Sequence, residues 1–143
     1  MAYKSIYKLK NIKKYVGDPD KIICRSSWER KVCKYLDENE NVLKWASEEL
    51  HIPYFSPVDK KWHKYYPDFL AEIKDNSGDI KKYIIEVKPL KQTMLPKQRK
   101  NKNAFLKEMK TFTINNSKWE AAKKLCDENG WLFKLLTEKE IFK

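Results

Sequence analysis

The chain has 143 residues, with 31 Lys and Arg against 20 Asp and Glu, and a formal net charge of +11 at pH 7. A chain of this length forms one domain that buries about two thirds of the surface exposed on unfolding, which excludes a large multidomain assembly. Its 41% hydrophobic and 13% aromatic content excludes a disordered basic tail, because such tails lack apolar residues to bury. The apolar runs are only a few residues long, so no membrane span or membrane partner is expected.

The first 24 residues are predicted to form an irregular basic arm, since residues 1–16 contain five Lys and no acidic residue. A helix is then predicted from Ser26 or Ser27 to about Asn39, because apolar residues recur along it at helical spacing. We therefore expect an arm over residues 1–24 and a folded domain over residues 25–143.

Three segments with strand character follow the first helix. They cover residues 48–55, 63–73 and 82–89, where apolar, aromatic and β-branched residues are frequent. The last two are joined by the turn-forming run 75–79, which contains Asp, Asn, Ser and Gly. This arrangement predicts an antiparallel meander.

Two further helices and a strand are predicted after the meander. Phe105, Met109 and Phe112 suggest one helix, and a second helix is expected to begin at a cap near Asn116 or Ser117. Gly130 and Thr137 mark the ends of the next strand: Gly130 suits a helix C′ position, and Thr137 begins a capping-box pattern that opens a terminal helical turn. The sequence between them reads as a buried strand over 131–136. The predicted class is α/β, in one domain with the order α-β-β-β-α-α-β.

Positive charge is concentrated in two segments, residues 1–16 with +5 and residues 88–110 with +7, while the remainder is nearly neutral. Charge segregated in this way is typical of a polyanion-binding surface. We expect a nucleic acid rather than a membrane surface, because neither segment has a clear amphipathic stripe. The candidate contact residues are Lys10, Lys13, Lys14, Lys91, Gln92, Lys97, Arg99, Lys100 and Lys102.

A pair of carboxylates and a lysine fall on neighbouring predicted strands. Asp68 follows Pro67 on the second strand, and Glu86 and Lys88 share one face of the third because side chains alternate along a strand. Two such carboxylates can converge on Mg²⁺, which prefers oxygen ligands and completes its shell with water and phosphate. Lys88 can orient or help deprotonate a water molecule. The pattern favours phosphodiester hydrolysis.

The spacing of Pro67-Asp68 and Glu86-Val87-Lys88 resembles the signature of the PD-(D/E)XK nuclease superfamily. The resemblance implies a restriction-endonuclease-like core, in which a mixed central sheet is flanked by helices. It also implies a role for Glu29, which lies where many members of the superfamily carry a glutamate on the preceding helix. Glu48 is the further acid that the resemblance favours as a metal ligand.

Longer stretches are similar to the head completion nucleases of T-even type tailed bacteriophages. These stretches include 25–30, 45–48, 52–55, 68–69, 86–89 and 115–122, and the later part of the chain also resembles the endonuclease subunit of some cut-and-paste transposases. The likeness implies a Mg²⁺-dependent endonuclease, with Mn²⁺ as a substitute, that acts on double-stranded DNA after packaging. It further implies phage head or portal proteins as partners, and a location in the cytoplasm of an infected bacterium or in the virion.

Other readings of the same residues stay open. Glu86 and Lys88 would form an ordinary surface salt pair if both were exposed, and Glu29 would close a capping box with Ser26. Glu48 would be an ordinary surface acid. At the level of function, the alternatives are a non-catalytic DNA-binding protein of the phage head or neck and a basic RNA-binding module.

Overall fold

Residues 4–142 are described by the computed structural model. Within this range the chain forms eight β-strands and three α-helices. In chain order these are β1 Ser5–Ile6, β2 Ile23–Cys24, α1 Ser27–Glu38, β3 Val42–Ser47, β4 Ile52–Ser56, β5 Lys61–Tyr65, β6 Phe69–Lys74, β7 Ile80–Val87, α2 Lys102–Asn129, β8 Leu132–Leu136 and α3 Glu138–Ile141. No helix in the described range is both long and apolar enough to cross a bilayer.

A four-stranded sheet in the order β3-β6-β7-β8 forms the centre of the domain. β6 pairs antiparallel with β3 and with β7, whereas β7 and β8 are parallel. Alternation along β7 separates the two layers packed on the sheet: Ile85 lies in the cluster that contains α1, and Ile84 lies in the cluster that contains α2. The predicted mixed sheet flanked by helices is thus confirmed.

Local patterns located the first helix and the hairpin well, but they misplaced two strand boundaries. The predicted strand 48–55 is correct only in its second half, because β4 begins at Ile52 and pairs with β5 in a separate ribbon. The sheet strand β3 ends before Glu48, whose φ of 55° breaks the extended backbone. The predicted strand 63–73 is two strands, interrupted at 66–68. Pro67 lies in that interruption because proline has no N–H for a strand ladder.

The two helices predicted between residues 105 and 130 are one helix, α2. Ser117 was expected to cap a new helix, but its hydroxyl donates to the Thr113 carbonyl oxygen at 3.0 Å, so the helix continues through it. The N-cap is Asn101, whose side chain accepts the Ala104 N–H. Gly130 ends the helix with a φ of 71°, as predicted.

The last elements also match their sequence signals, with one correction. Thr137 and Glu140 form the predicted capping box at the start of α3. β8 was predicted to be buried, but it is the edge strand of the sheet in the described range, and Leu132 is 43% exposed.

The segment before α1 is part of the core rather than an arm outside it. Tyr7, Tyr15 and Ile22 are buried in the cluster that also holds α1. Asp37 near the end of α1 is fully buried, and its carboxylate accepts three hydrogen bonds from this segment. The expected division between residues 24 and 25 does not separate two packing units, because aromatic residues among the lysines supply core surface.

Candidate active site

Asp68 and Glu86 are brought together by the register of β6 and β7. Phe69 pairs with Ile85 in the antiparallel ladder, which places the preceding Asp68 opposite the following Glu86. The Asp68 N–H donates to Glu86 Oε1 at 3.1 Å, and the Val87 N–H donates to Asp68 Oδ2 at 2.8 Å. Each carboxylate therefore accepts a backbone N–H from the neighbouring chain segment.

The two carboxylates lie in a poorly solvated environment. Glu86 is only 5% exposed, on the same side of β7 as the buried Ile84. Burial raises the pKa of Asp68 well above its ordinary value, and the negative charge of Glu86 raises it further. The hydrogen bond from Val87 and the charge of Lys88 act in the opposite direction. A concentration of negative charge of this kind favours binding of a cation.

Lys88 follows β7 directly and is partly buried. Its N–H donates to the Leu136 carbonyl oxygen at 3.0 Å, which continues the pairing of β7 with β8. Lys88 forms no ion pair with any residue in the range 4–142, so the reading of Glu86 and Lys88 as an exposed salt pair is wrong. Its ammonium is available to a ligand at the carboxylates.

Glu29 lies in the first turn of α1 and takes part in capping. Ser26 Oγ accepts the Glu29 N–H at 3.1 Å, and the Glu29 carboxylate contacts Ser26 Oγ and the Arg25 N–H, each at 3.3 Å. Burial raises the pKa of Glu29, and the charge of Glu29 in turn contributes to the raised pKa of Asp68. Glu29 is thus a helix-capping residue at the border of the acidic pair.

Glu48 is close to the pair through its backbone, but its carboxylate has another partner. The Glu48 N–H donates to the Asp68 carbonyl oxygen at 3.2 Å. The Glu48 carboxylate accepts from Arg25 Nε at 3.0 Å and from Arg25 Nη2 at 3.3 Å. Sequence reasoning placed Arg25 only in a family motif and missed this ion pair, which forms between residues 23 positions apart.

The donor set suits Mg²⁺ with two protein ligands. Within residues 4–142, no group of three or more His, Cys, Asp or Glu side chains is arranged to hold a metal ion. Mg²⁺ commonly uses one or two carboxylates and retains water and substrate phosphate in its other positions. Asp68 and Glu86 fit this pattern, whereas the oxygens of Glu48 are engaged by Arg25.

The predicted nucleic-acid contacts in the N-terminal segment have different environments. Lys10 Nζ donates to Glu38 Oε1 at 2.8 Å, and Lys14 Nζ donates to the carbonyl oxygens of Asp37 and Asn39 at the end of α1. Lys14 therefore satisfies helix C-terminal carbonyls, which a sequence pattern does not reveal. Lys13 is exposed.

Lys10 also borders a pocket of 430 Å³ between the N-terminal segment and α1. We call this the α1 basic pocket; its lining residues are Tyr7, Lys8, Lys10, Ser27, Arg30, Lys31 and Lys34. Five of the seven carry positive charge and none carries negative charge. Arg30, Lys31 and Lys34 were not among the predicted contacts, because the helix they share with Glu38 is mixed in charge along the sequence.

The second basic segment is largely open to solvent. Lys91 and Gln92 lie in a 3-10 turn after β7, and Lys102 is the first residue of α2. Lys97, Arg99 and Lys100 lie in the connection between the two, and all six residues are exposed. Arg99 pairs with Glu108, whereas the five other residues form no ion pair in the described range.

One cavity in the described range lies away from the carboxylates. It measures 750 Å³ and is lined by α1, β7, β8 and α3, including Tyr35, Ile85 and Leu136. Ile85 faces the α1 layer, opposite the Ile84 side on which Glu86 lies. The candidate active site is therefore identified by its two carboxylates, which lie outside this cavity.

Comparisons with known proteins identify similar nucleases. Residues 39–138 match the model of a family described as TnsA-like endonuclease N terminal. The chain is also 39% identical over 143 residues to the head completion nuclease of Enterobacteria phage T4, with 96% of this chain and 93% of that protein covered. The resemblance predicted from the motifs is confirmed by both matches.

Proposed function

Because the chain belongs to the TnsA-like endonuclease N-terminal family, we propose that it is a metal-dependent endonuclease that hydrolyses phosphodiester bonds of double-stranded DNA. The observation that carries this proposal is the juxtaposition of Asp68 and Glu86: the Asp68 N–H donates to the Glu86 carboxylate, and the Val87 N–H donates to the Asp68 carboxylate. The likeness to a head completion nuclease supports action on packaged DNA during phage head assembly.

Asp68 and Glu86 would hold Mg²⁺, and Mn²⁺ would substitute because it accepts the same oxygen ligands. When bound, such an ion lowers the pKa of its water and offsets charge on a phosphate under attack. Lys88 would orient the attacking water, and only its neutral amine form would accept the proton of that water. Glu29 adds negative charge at the border while it caps α1.

Exposed cations lie on the segments that continue from the acidic centre along the chain and would bind DNA phosphates. The residues 91–102 follow Lys88 directly along the chain, and the α1 basic pocket lies on the helix that begins two residues before Glu29. Phosphate contacts of this kind supply affinity without reading sequence. Phage head or portal proteins are the proposed protein partners, and the cytoplasm of the infected bacterium or the virion is the proposed location.

Plasmid nicking tests the proposal directly. Purified protein is incubated with supercoiled plasmid and Mg²⁺ or Mn²⁺, alongside Asp68→Asn, Lys88→Ala and the control Asp20→Asn, which alters an exposed acid near a turn. We expect nicking by the wild type and the control, and at least a 10²-fold loss in the other two variants.

The outcomes separate the alternatives. DNA binding without nicking by the wild type in either metal would instead indicate a structural DNA-binding protein, and preferential binding of RNA would indicate an RNA-binding module. Activity that survives both Asp68→Asn and Lys88→Ala would show that the active site lies elsewhere.

A further inference from the structure

Lys118 on α2 is a partly buried cation without an acidic partner. Its Nζ lies 5.9 Å from the centroid of the Tyr54 ring and 5.7 Å from that of Tyr65. Among residues 4–142 it forms no ion pair and no hydrogen bond, although an ammonium has three N–H donors. The aromatic faces attract the cation but leave these donors unsatisfied.

The surroundings of Lys118 connect it to the carboxylate pair. The next residue, Trp119, is buried in one cluster with Tyr65 and Ile84, and Ile84 precedes Glu86 on the same face of β7. The charges acting on Lys118 include those of Lys88, Glu86 and Asp68. Lys118 therefore lies on the α2 side of the same centre.

The wall next to Lys118 contains further unsatisfied donors. The Tyr65 hydroxyl and Trp119 Nε1 are buried and have no hydrogen-bond partner in the described part of the chain. Burial raises the pKa of Tyr65, and the charge of Glu86 and the nearness of its carboxylate to the Tyr65 hydroxyl raise it further. The hydroxyl therefore faces the carboxylate pair, although it makes no hydrogen bond of good geometry there. Buried donors without partners are uncommon and frequently mark a position that a ligand or water occupies.

We infer that Lys118, held between Tyr54 and Tyr65, binds a phosphate of the DNA backbone at the carboxylate pair. The inference rests on the proposed endonuclease function and assigns a second cation to its substrate site. Lys88 approaches the centre from the end of β7 and acts on the attacking water. Lys118 approaches from α2 and binds a phosphate oxygen. A partly buried ammonium whose N–H donors lack direct partners is costly in the free protein, and an anion that accepts from them compensates this cost.

Lys118→Met tests the assignment, because methionine keeps much of the apolar stem and removes the charge. Lys124→Met is the matched control: it lies on the same helix, and it is exposed and unpaired in the described range. Lys118→Arg keeps the charge. Thermal unfolding of each variant establishes that the fold is retained.

Two readouts are needed. The first is DNA affinity without metal over a salt series: we expect Lys118→Met to reduce the slope of log K against log[salt] by about one, Lys118→Arg to restore it, and Lys124→Met to leave it unchanged. The second is the single-turnover nicking rate, where about a 10²-fold loss is expected for Lys118→Met alone.

A slope and a rate equal to those of Lys124→Met would overturn the assignment. Failure of the wild type to nick DNA would reject the endonuclease function, and the metal-free slope would then still decide whether Lys118 binds phosphate.

Discussion

The Tyr7 hydroxyl donates to Asp37 Oδ2 at 2.8 Å, although the two residues are 30 positions apart. Asp37 is fully buried and also accepts the N–H groups of Lys10 and Asn11, at 2.9 and 3.0 Å. This carboxylate therefore fastens the N-terminal segment to the end of α1. Three donors depend on a single side chain.

Asp37→Ala should destabilise the protein strongly. The substitution leaves buried donors without an acceptor, so we expect the free energy of unfolding to fall by about 3 kcal/mol. Tyr7→Phe, which removes one of the three bonds, should cost about 1 kcal/mol. Urea unfolding followed by circular dichroism measures both, and Asp20→Asn is the exposed control. Equal losses for the two variants would contradict this account of Asp37.

Because these contacts make the N-terminal segment part of the core, the role of its lysines in DNA binding should be tested by point substitution and not by deletion. Deleting residues 1–16 would remove Tyr7 and Tyr15 from the core, so weaker DNA binding would not identify a phosphate contact. Point substitutions in the α1 basic pocket avoid this problem. We expect Lys8→Gln combined with Lys34→Gln to lower the salt slope of DNA binding by about two.

The control for that pair is Lys60→Gln combined with Lys124→Gln, which removes the same charge at exposed positions outside the pocket. Filter binding over a salt series measures the slopes. A slope that falls equally in both double variants would indicate a general charge effect and not a specific surface.

Two substitutions separate the helix-capping role of Glu29 from a role of its charge in DNA cleavage. Ser26→Ala removes the acceptor of the Glu29 N–H and should cost about 1 kcal/mol of stability while nicking continues. Glu29→Gln keeps a polar side chain in the first turn and removes its negative charge. We expect Glu29→Gln to lower the nicking rate at least tenfold with little change in stability, and an unchanged rate would leave capping as its only role.

Short-range patterns predicted the parts of the fold that depend on neighbouring residues. Helical spacing and Ser26 located α1, and the turn at 75–79 joined β6 to β7 in the order that brings Asp68 opposite Glu86. These signals are local because caps and turns use nearby side chains.

The features that the sequence did not reveal depend on distant partners. The ammonium of Lys118 lies over the rings of Tyr54 and Tyr65, which are more than fifty residues away in the sequence. Tyr7 lies in the core, where its ring packs edge-on against Trp45 and its hydroxyl donates to Asp37. Ser117 does not cap a helix, because its hydroxyl donates to a carbonyl oxygen four residues earlier. Periodicity along the chain contains no information on such pairings.

Asp68→Asn should stabilise the metal-free protein while it abolishes nicking. Burial and the charge of Glu86 raise the pKa of Asp68, so its ionised form is disfavoured in the folded state relative to the unfolded state. Near neutral pH this lowers stability, and a neutral asparagine removes the penalty while its oxygen can still accept the Val87 N–H. We expect a gain of about 1 kcal/mol in EDTA.

Addition of Mg²⁺ should make the wild type more stable than Asp68→Asn. An ion that binds only the folded protein stabilises it in proportion to the logarithm of its concentration above Kd, so the Tm of the wild type should rise with Mg²⁺. Asp68→Asn lacks one of the two carboxylates and should respond much less. Differential scanning fluorimetry over a Mg²⁺ series measures both, with Asp20→Asn as control. Equal responses of the wild type and Asp68→Asn would remove Asp68 from the metal site, because stabilisation by the ion would then not require its carboxylate.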